Sequence, residues 1–95
     1  MAQLDLPTLF ITDEHVHGGE YVGSDVSSWQ GNIVLLANLG MVHFNTKIGA
    51  KGFIYASYGS GIETDENVSA GKNITIALGL NAKTGVKAGG IISVG

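Results

Sequence analysis

The C-terminal half of the chain repeats an aliphatic residue every six positions, and this period restricts the fold more than any other feature of the sequence. It excludes an amphipathic helix, whose apolar residues recur at three and four positions. A second small or apolar side chain follows two positions later, as on one face of a short strand. The aliphatic series is Ile62, Val68, Ile74, Leu80, Val86 and Ile92, followed by Thr64, Ala70, Ile76, Ala82, Ala88 and Val94 at the second position.

Residues that are eighteen positions apart match in kind, which predicts coils made of three six-residue sides. Ile62 matches Leu80, and Ile74 matches Ile92. Successive coils of such a chain pair in parallel about 4.8 Å apart. We therefore predict an all-β fold, a small three-sided parallel β-solenoid of about five coils. A compact β-sandwich or jelly roll is the alternative that the pattern leaves open.

The earlier parts of the chain follow the period less regularly. An eight-residue step from Ile54 to Ile62 contains a two-residue insertion, which is expected to extrude Tyr58 on a bulge. The phase also slips around residues 25–33. We predict a single domain, 1–95, in which residues 1–32 form irregular first coils or a cap and residues 33–95 form regular repeats. The six-residue series predicted to face inward here are Leu4, Phe10, Val16 and Val22, then Leu36, Val42, Ile48 and Ile54.

Many of the 15 glycines stand at the expected corners between strands, where glycine adopts sharp turns at low cost. The segments NVSAGKNIT (67–75) and GVKAGGI (85–91) resemble the short-strand repeats of bactofilin-type β-helices, and the resemblance covers residues 31–95. It implies a right-handed triangular β-helix, end-to-end polymerisation and no catalytic residue. The left-handed hexapeptide helix of acyltransferases fits less well. That family places a small residue where this chain has Glu66, Lys72 and Leu78.

The composition limits the classes of partner that we expect for this chain. Its net charge is −3, with no arginine and no cysteine, and the formal charge is −5 over residues 1–46 and +2 over residues 47–95. Without arginine, base-specific nucleic-acid readout is not expected. No apolar run approaches the roughly 18–20 residues of a membrane span, and the first residues lack the basic head of a signal peptide. We expect no membrane partner and a cytoplasmic or virion-associated location.

No catalytic or cofactor motif is evident. A nucleophile elbow, a phosphate-binding loop and a dinucleotide fingerprint are all missing. The acidic cluster Glu63, Asp65 and Glu66 would need a cleft to shift a pKa for acid–base catalysis, and short solenoid corners provide little concavity. We therefore predict that the protein is not an enzyme and that it binds no cofactor.

Aromatic and acidic residues on irregular or exposed segments are the predicted protein-binding residues, because aromatic side chains on protruding segments are typical of binding surfaces. For Trp29, capping of the core is an equally weighted alternative. The predicted set is Trp29, Tyr55, Tyr58, Asp13, Glu14, Glu20, Glu63, Asp65 and Glu66.

The tripeptide His15-Val16-His17 is the candidate metal site. On a strand, both imidazoles would project to one outward face, and together with a carboxylate, or around a three-fold axis, they could hold zinc. Two solvated histidines on a strand edge are the simpler interpretation. His43, between the inward positions Val42 and Phe44, is also expected to face outward.

The last repeat, with Ile91, Ile92 and Val94, has no visible polar cap and is the predicted assembly end. An uncapped solenoid end exposes an apolar cross-section and unpaired strand edges. The leading hypothesis is a non-catalytic β-solenoid that acts through protein contacts, by self-assembly or as a scaffold or docking module. A virus-encoded inhibitor of a host defence complex, using the acidic N-terminal half, is one alternative. A phage capsid-decorating or spike-like trimer is another.

Overall fold

Residues 7–95, the part of the chain described by the computed structural model, form a β-solenoid of parallel sheets with about four turns, where the repeat suggested about five. A single 3₁₀ turn, Asp13–His15, interrupts the strands of this part of the chain. The strands are β1 (Thr8–Ile11), β2 (Val16–His17), β3 (Glu20–Tyr21), β4 (Asn32–Leu35), β5 (Gly40–Phe44), β6 (Ile48–Ala50), β7 (Ile54–Ala56), β8 (Ser60–Thr64), β9 (Asn67–Ala70), β10 (Ile74–Ile76), β11 (Leu80–Ala82), β12 (Gly85–Ala88) and β13 (Ile92–Val94).

Each regular coil contributes one strand to each of three sheets. Sheet 1 has the order β1-β4-β7-β10-β13, sheet 2 the order β11-β8-β5-β3-β2, and sheet 3 the order β12-β9-β6. All the pairings between these strands are parallel except that of β2 with β3, which is antiparallel. This arrangement confirms the predicted solenoid over the β-sandwich, in which antiparallel pairing dominates.

The eighteen-residue register predicted for the C-terminal half is confirmed. Ile62 pairs with Leu80, Val68 with Val86, and Ile74 with Ile92. Coils nearer the N-terminus are longer. Ile54 stands opposite Ile74, twenty residues on, and Ile33 stands opposite Ile54, twenty-one residues on. The coils therefore shorten towards the C-terminus, and the sequence period is regular only where no corner carries an insertion.

Part of the predicted inward series is wrong in the N-terminal half. Leu36 and Phe10 face solvent, and their neighbours Leu35 and Ile11 fill the core instead. Adjacent apolar residues offer two registers, and a shift by one residue turns a side chain to the other face. The chain adopts the register that stacks Leu35 on Ala56. Val22 is also exposed, whereas Leu4 lies outside the described residues.

The core is a column of apolar side chains, nearly all of them aliphatic, enclosed by the three sheets. Two buried hydroxyl groups bond to neighbouring coils within it: Ser60 Oγ donates to the Leu36 carbonyl, and Thr64 Oγ1 donates to the Thr46 carbonyl at 2.6 Å. These bonds satisfy polar groups that burial would otherwise leave unpaired. The most deeply buried side chains are Ile11, Val26, Ile33, Leu35, Val42, Phe44, Ile48, Ile54, Ile62, Val68, Ile74 and Ile76.

The two-residue insertion lies in the corner between β7 and β8. Tyr58 is extruded there with 78% of its surface exposed, as predicted. Gly59 follows it with a φ of 77°, a left-handed conformation that glycine adopts without strain. The Tyr58 carbonyl accepts the amide of Asn38 at 2.8 Å, so the bulge remains bonded to the coil below it.

Candidate interaction surfaces

The C-terminal coil, formed by β11, β12 and β13, is the last coil of the structure. Each of its strands is the last in its sheet, so three strand edges have no partner strand within residues 7–95. Ile92 and Val94 occupy the inward column and are both 45% exposed, whereas Ile74 and Ile76 directly beneath them are at most 1% exposed. Ile91 is 71% exposed. This end therefore presents core side chains together with free backbone donors and acceptors.

The other end of sheet 2 is closed by the β2–β3 hairpin. Its turn consists of Gly18 and Gly19, which have φ values of 60° and 84°. Because β2 runs antiparallel to β3, it does not continue the parallel edge of the coil. Val26, in the following segment, is 1% exposed and completes the core at this end.

The expectation that His15 and His17 share one strand is wrong. His15 is the last residue of the 3₁₀ turn, and its Nδ1 atom accepts the Thr12 amide at 3.0 Å in a capping box. His17 lies on β2 and is exposed. No group of three or more metal-ligating side chains within residues 7–95 is arranged to hold a metal ion.

His43 on β5 lies between two carboxylates from neighbouring coils. Its Nδ1 atom is 2.8 Å from Glu20 Oε2, and its Nε2 atom is 2.9 Å from Asp65 Oδ1. The histidine side chain is 24% exposed, while both carboxylates are about half exposed. The outward orientation of His43 agrees with the sequence prediction, but its partners lie 23 and 22 residues away. This trio, which we call the His43 bridge, joins β3 to the regular coils.

The His43 bridge raises the pKa of the imidazole to about 9. The hydrogen bond to Asp65 is the larger cause, and the bond to Glu20 adds to it. The same bond, with a smaller contribution from Lys83, lowers the pKa of Asp65. His43 is therefore a cation at neutral pH, and the charges alternate in sign from Glu20 to Lys83.

The His43 bridge should make stability depend on pH. Since the folded-state pKa of His43 is raised above 6.5, its stabilisation is fully present below pH 6.5 and lost as the pH rises through about 9. We expect the urea midpoint of the native protein to exceed that of His43→Gln at pH 6, and the difference to vanish by about pH 10.

Two further variants test whether this pH dependence arises from the bridge. Asp65→Asn should remove more of it than Glu20→Gln, because the Asp65 bond is the larger cause of the shift. A midpoint difference for His43→Gln that stays constant from pH 6 to about 10 would contradict this account, since it would indicate packing alone.

The predicted acidic binding residues fall into separate groups. Asp13 and Glu14 are exposed in the first turn of the 3₁₀ segment, where negative charge is favourable. Glu20 and Asp65 belong to the His43 bridge, and Glu63 stands opposite His43 in the register of sheet 2. The remaining residue, Glu66, is exposed at the corner before β9.

The aromatic residues predicted to bind a partner occupy three different places. Tyr55 is 43% exposed on the outer face of sheet 1, between Val34 and Thr75 of the flanking coils. Tyr58 projects from its corner. Trp29 is half-buried: its ring packs against the core, and its Nε1 atom donates to the Pro7 carbonyl at 3.3 Å. Its backbone pairs with Ala50 at the edge of sheet 3. Trp29 therefore packs as the capping alternative predicts, and its binding to a partner stays a prediction.

Charged side chains are distributed unequally over the sides of the solenoid, as well as over the two halves of the chain. The sheet 2 side carries the His43 bridge and Glu63, whereas Lys47, Lys51 and Lys87 line the sheet 3 side. The outward column of sheet 1 is uncharged in the described residues: Phe10, Val34, Tyr55, Thr75 and Ser93.

Comparisons with family models, with curated proteins and with solved structures found no match to this chain. Within residues 7–95, no helix has the length and apolar character needed to cross a membrane. The β-solenoid fold is consistent with a structural or interaction role.

Proposed function

We propose that this protein is a non-catalytic structural or interaction module that associates with copies of itself through the C-terminal coil. The observation that carries the proposal is the exposure of Ile92 and Val94 in the inward column, above a layer that is almost fully buried. Covering this coil with a second copy would remove apolar surface from water and pair the open strand edges.

The chemistry of this coil favours an apolar contact over an electrostatic one. Its inward side chains Leu80, Val86 and Ala88 are half-buried and uncharged, in line with Ile92 and Val94. The formal charges of −5 over residues 1–46 and +2 over residues 47–95 would instead favour contact between an acidic front coil and a weakly basic rear coil. In the structure Glu20 and Asp65 are engaged by His43 on the sheet 2 side. Association is therefore expected to persist at about 1 M salt, where the Debye length is only about 3 Å.

Charge introduced into the inward column tests the proposal. Ile92→Lys combined with Val94→Lys should give a monomer at concentrations where the native protein associates, because burying a lysine in an apolar contact is strongly unfavourable. Light scattering coupled to size-exclusion chromatography at several concentrations measures the mass. Ser93→Lys is the matched control on the same strand, since residue 93 faces outward and should leave association intact.

Two results would overturn the proposal. One is a native protein that stays monomeric at every concentration tested. The other is a Ser93→Lys variant that dissociates as fully as the double variant, because the contact would then use the side of the solenoid instead of the C-terminal coil.

A further inference from the structure

A polar groove runs along the outer side of sheet 3. Its larger part, about 400 Å³, lies between residues 27–30 and the strands β6 and β9. A second part of about 260 Å³ continues to β12 and shares Asn67 and Ser69 with the first. The residues 27–28 cross directly over β6, where a Cβ at Gly49 would stand 2.6 Å from the Ser27 carbonyl oxygen. Glycine at position 49 therefore lets this segment form one wall of the groove.

Three of the five lysines of the chain, Lys47, Lys51 and Lys87, line this groove. None of its lining residues is acidic, and no lysine within residues 7–95 forms a salt bridge. Lys47 attracts Asp25 at longer range. Lys47 directly precedes β6 and Lys87 lies on β12, two strands further along sheet 3, which places their levels about 10 Å apart along the solenoid.

The groove also offers neutral hydrogen-bonding groups that have no side-chain partner within residues 7–95. Ser69 lies on its floor, between Gly49 and Lys87 in the register, and Asn67 lies beside it. Neither side chain bonds to another described residue, and the same holds for Lys51 and Lys87. In the wall formed by residues 27–30, Trp29 lines the groove together with Ser28 and Gln30.

We propose that this groove binds an anionic linear polysaccharide, a glycan that carries carboxylate or sulfate groups. The lysine ammonium groups would donate charge-assisted hydrogen bonds to the anionic groups of successive sugars. Ser69 and Asn67 would bond to sugar hydroxyls, and the Trp29 ring would pack against an apolar sugar face. This binding uses the side of the solenoid and does not depend on self-association through the C-terminal coil.

The groove suits a glycan better than a nucleic-acid strand. Single-stranded nucleic acid is held by several aromatic side chains that stack on successive bases. Here the groove has one aromatic residue, Trp29, among serine, asparagine and glutamine side chains. The chain also has no arginine, the residue that binds phosphate through two parallel hydrogen bonds.

Fluorescence titration tests the proposal, because Trp29 is the single tryptophan of the chain and lies at the groove. The probes are polygalacturonate for carboxylate groups, heparin for sulfate groups, dextran as a neutral glycan and single-stranded DNA as another polyanion. We expect a saturable change with at least one anionic glycan and none with dextran. Binding of polygalacturonate or of heparin identifies which anionic group is used.

Two double variants distinguish binding by the lysines of the groove from a general effect of net charge on affinity. Lys51→Gln with Lys87→Gln should weaken glycan binding about tenfold or more, as expected for the loss of two charge-assisted hydrogen bonds. Lys72→Gln with Lys83→Gln removes the same charge outside the groove and should change the affinity less than about threefold, the residual effect of net charge.

Three results would overturn the proposal: no binding of either anionic glycan, equal weakening by both double variants, or DNA binding as tight as glycan binding. Circular dichroism of each variant checks that the solenoid is retained. Gln replaces exposed lysines here, so a loss of fold is not expected.

Discussion

An Ile54→Ala variant is expected to lose about 2–5 kcal/mol of unfolding free energy. Ile54 is fully buried and stacks between Ile33 and Ile74 of the flanking coils. Removing three methyl or methylene groups leaves a cavity that the sheets on either side cannot close by a local movement. A domain of this size has a total stability of about 5–15 kcal/mol, so the variant loses a large part of it.

Urea unfolding followed by Trp29 fluorescence and by circular dichroism measures this loss. Tyr55→Thr is the control from the same strand, because Tyr55 faces outward and threonine retains a high strand propensity. Its cost should stay within about 1 kcal/mol. Similar losses for Ile54→Ala and Tyr55→Thr would contradict the assignment of the inward and outward faces of β7.

Gly71→Ala should destabilise the protein by about 1–3 kcal/mol or more. Gly71 stands at the corner after β9, where a Cβ atom would collide with the Lys51 carbonyl oxygen of the coil below. Gly89, one coil later, is packed in the same way against the Gly71 carbonyl oxygen. A methyl group at this corner therefore has to push two coils apart, against the spacing set by the parallel strands.

Gly79→Ala is the matched control for this corner. The nearest atom to a Cβ at Gly79 is Met41 Sδ at 3.7 Å, an ordinary contact, and the φ of this glycine is not in the left-handed region. We expect no loss, or a gain of about 0.4–1 kcal/mol from the stiffer unfolded chain. The unfolding midpoints of the two variants are compared in urea. If Gly79→Ala cost as much as Gly71→Ala, the distance between coils would not be the cause.

The sequence predicted the positions of inward residues most accurately in the part of the chain where the repeat is regular. From Ile62 onward, the six-residue period placed each inward residue and its partner eighteen residues away, and the structure has these pairs. The prediction failed at Phe10 and Leu36, which lie beside Ile11 and Leu35. Two adjacent apolar residues satisfy the period equally well, and only contact with the next coil selects one of them.

The His43 bridge shows why the candidate site was only partly predictable. The outward orientation of the His43 side chain could be predicted, because inward and outward residues alternate along β5 and His43 lies between the inward residues Val42 and Phe44. Its partners could not be inferred from a spacing of eighteen, because Glu20 and Asp65 lie 23 and 22 residues away across corners of different length. The groove on sheet 3 was missed for a similar reason: its walls join residues 27–30 to three separate strands.

The sequence by itself determined short strands with a six-residue period, and it favoured a three-sided parallel solenoid over a β-sandwich. The period of the aliphatic residues carries this information, since a strand alternates its faces and every coil repeats the same choice. The tertiary structure decided where the charges meet: which carboxylates hold His43, and which lysines line one groove. Outward side chains are not constrained by burial, and their neighbours depend on corner lengths, which the period of the core does not encode.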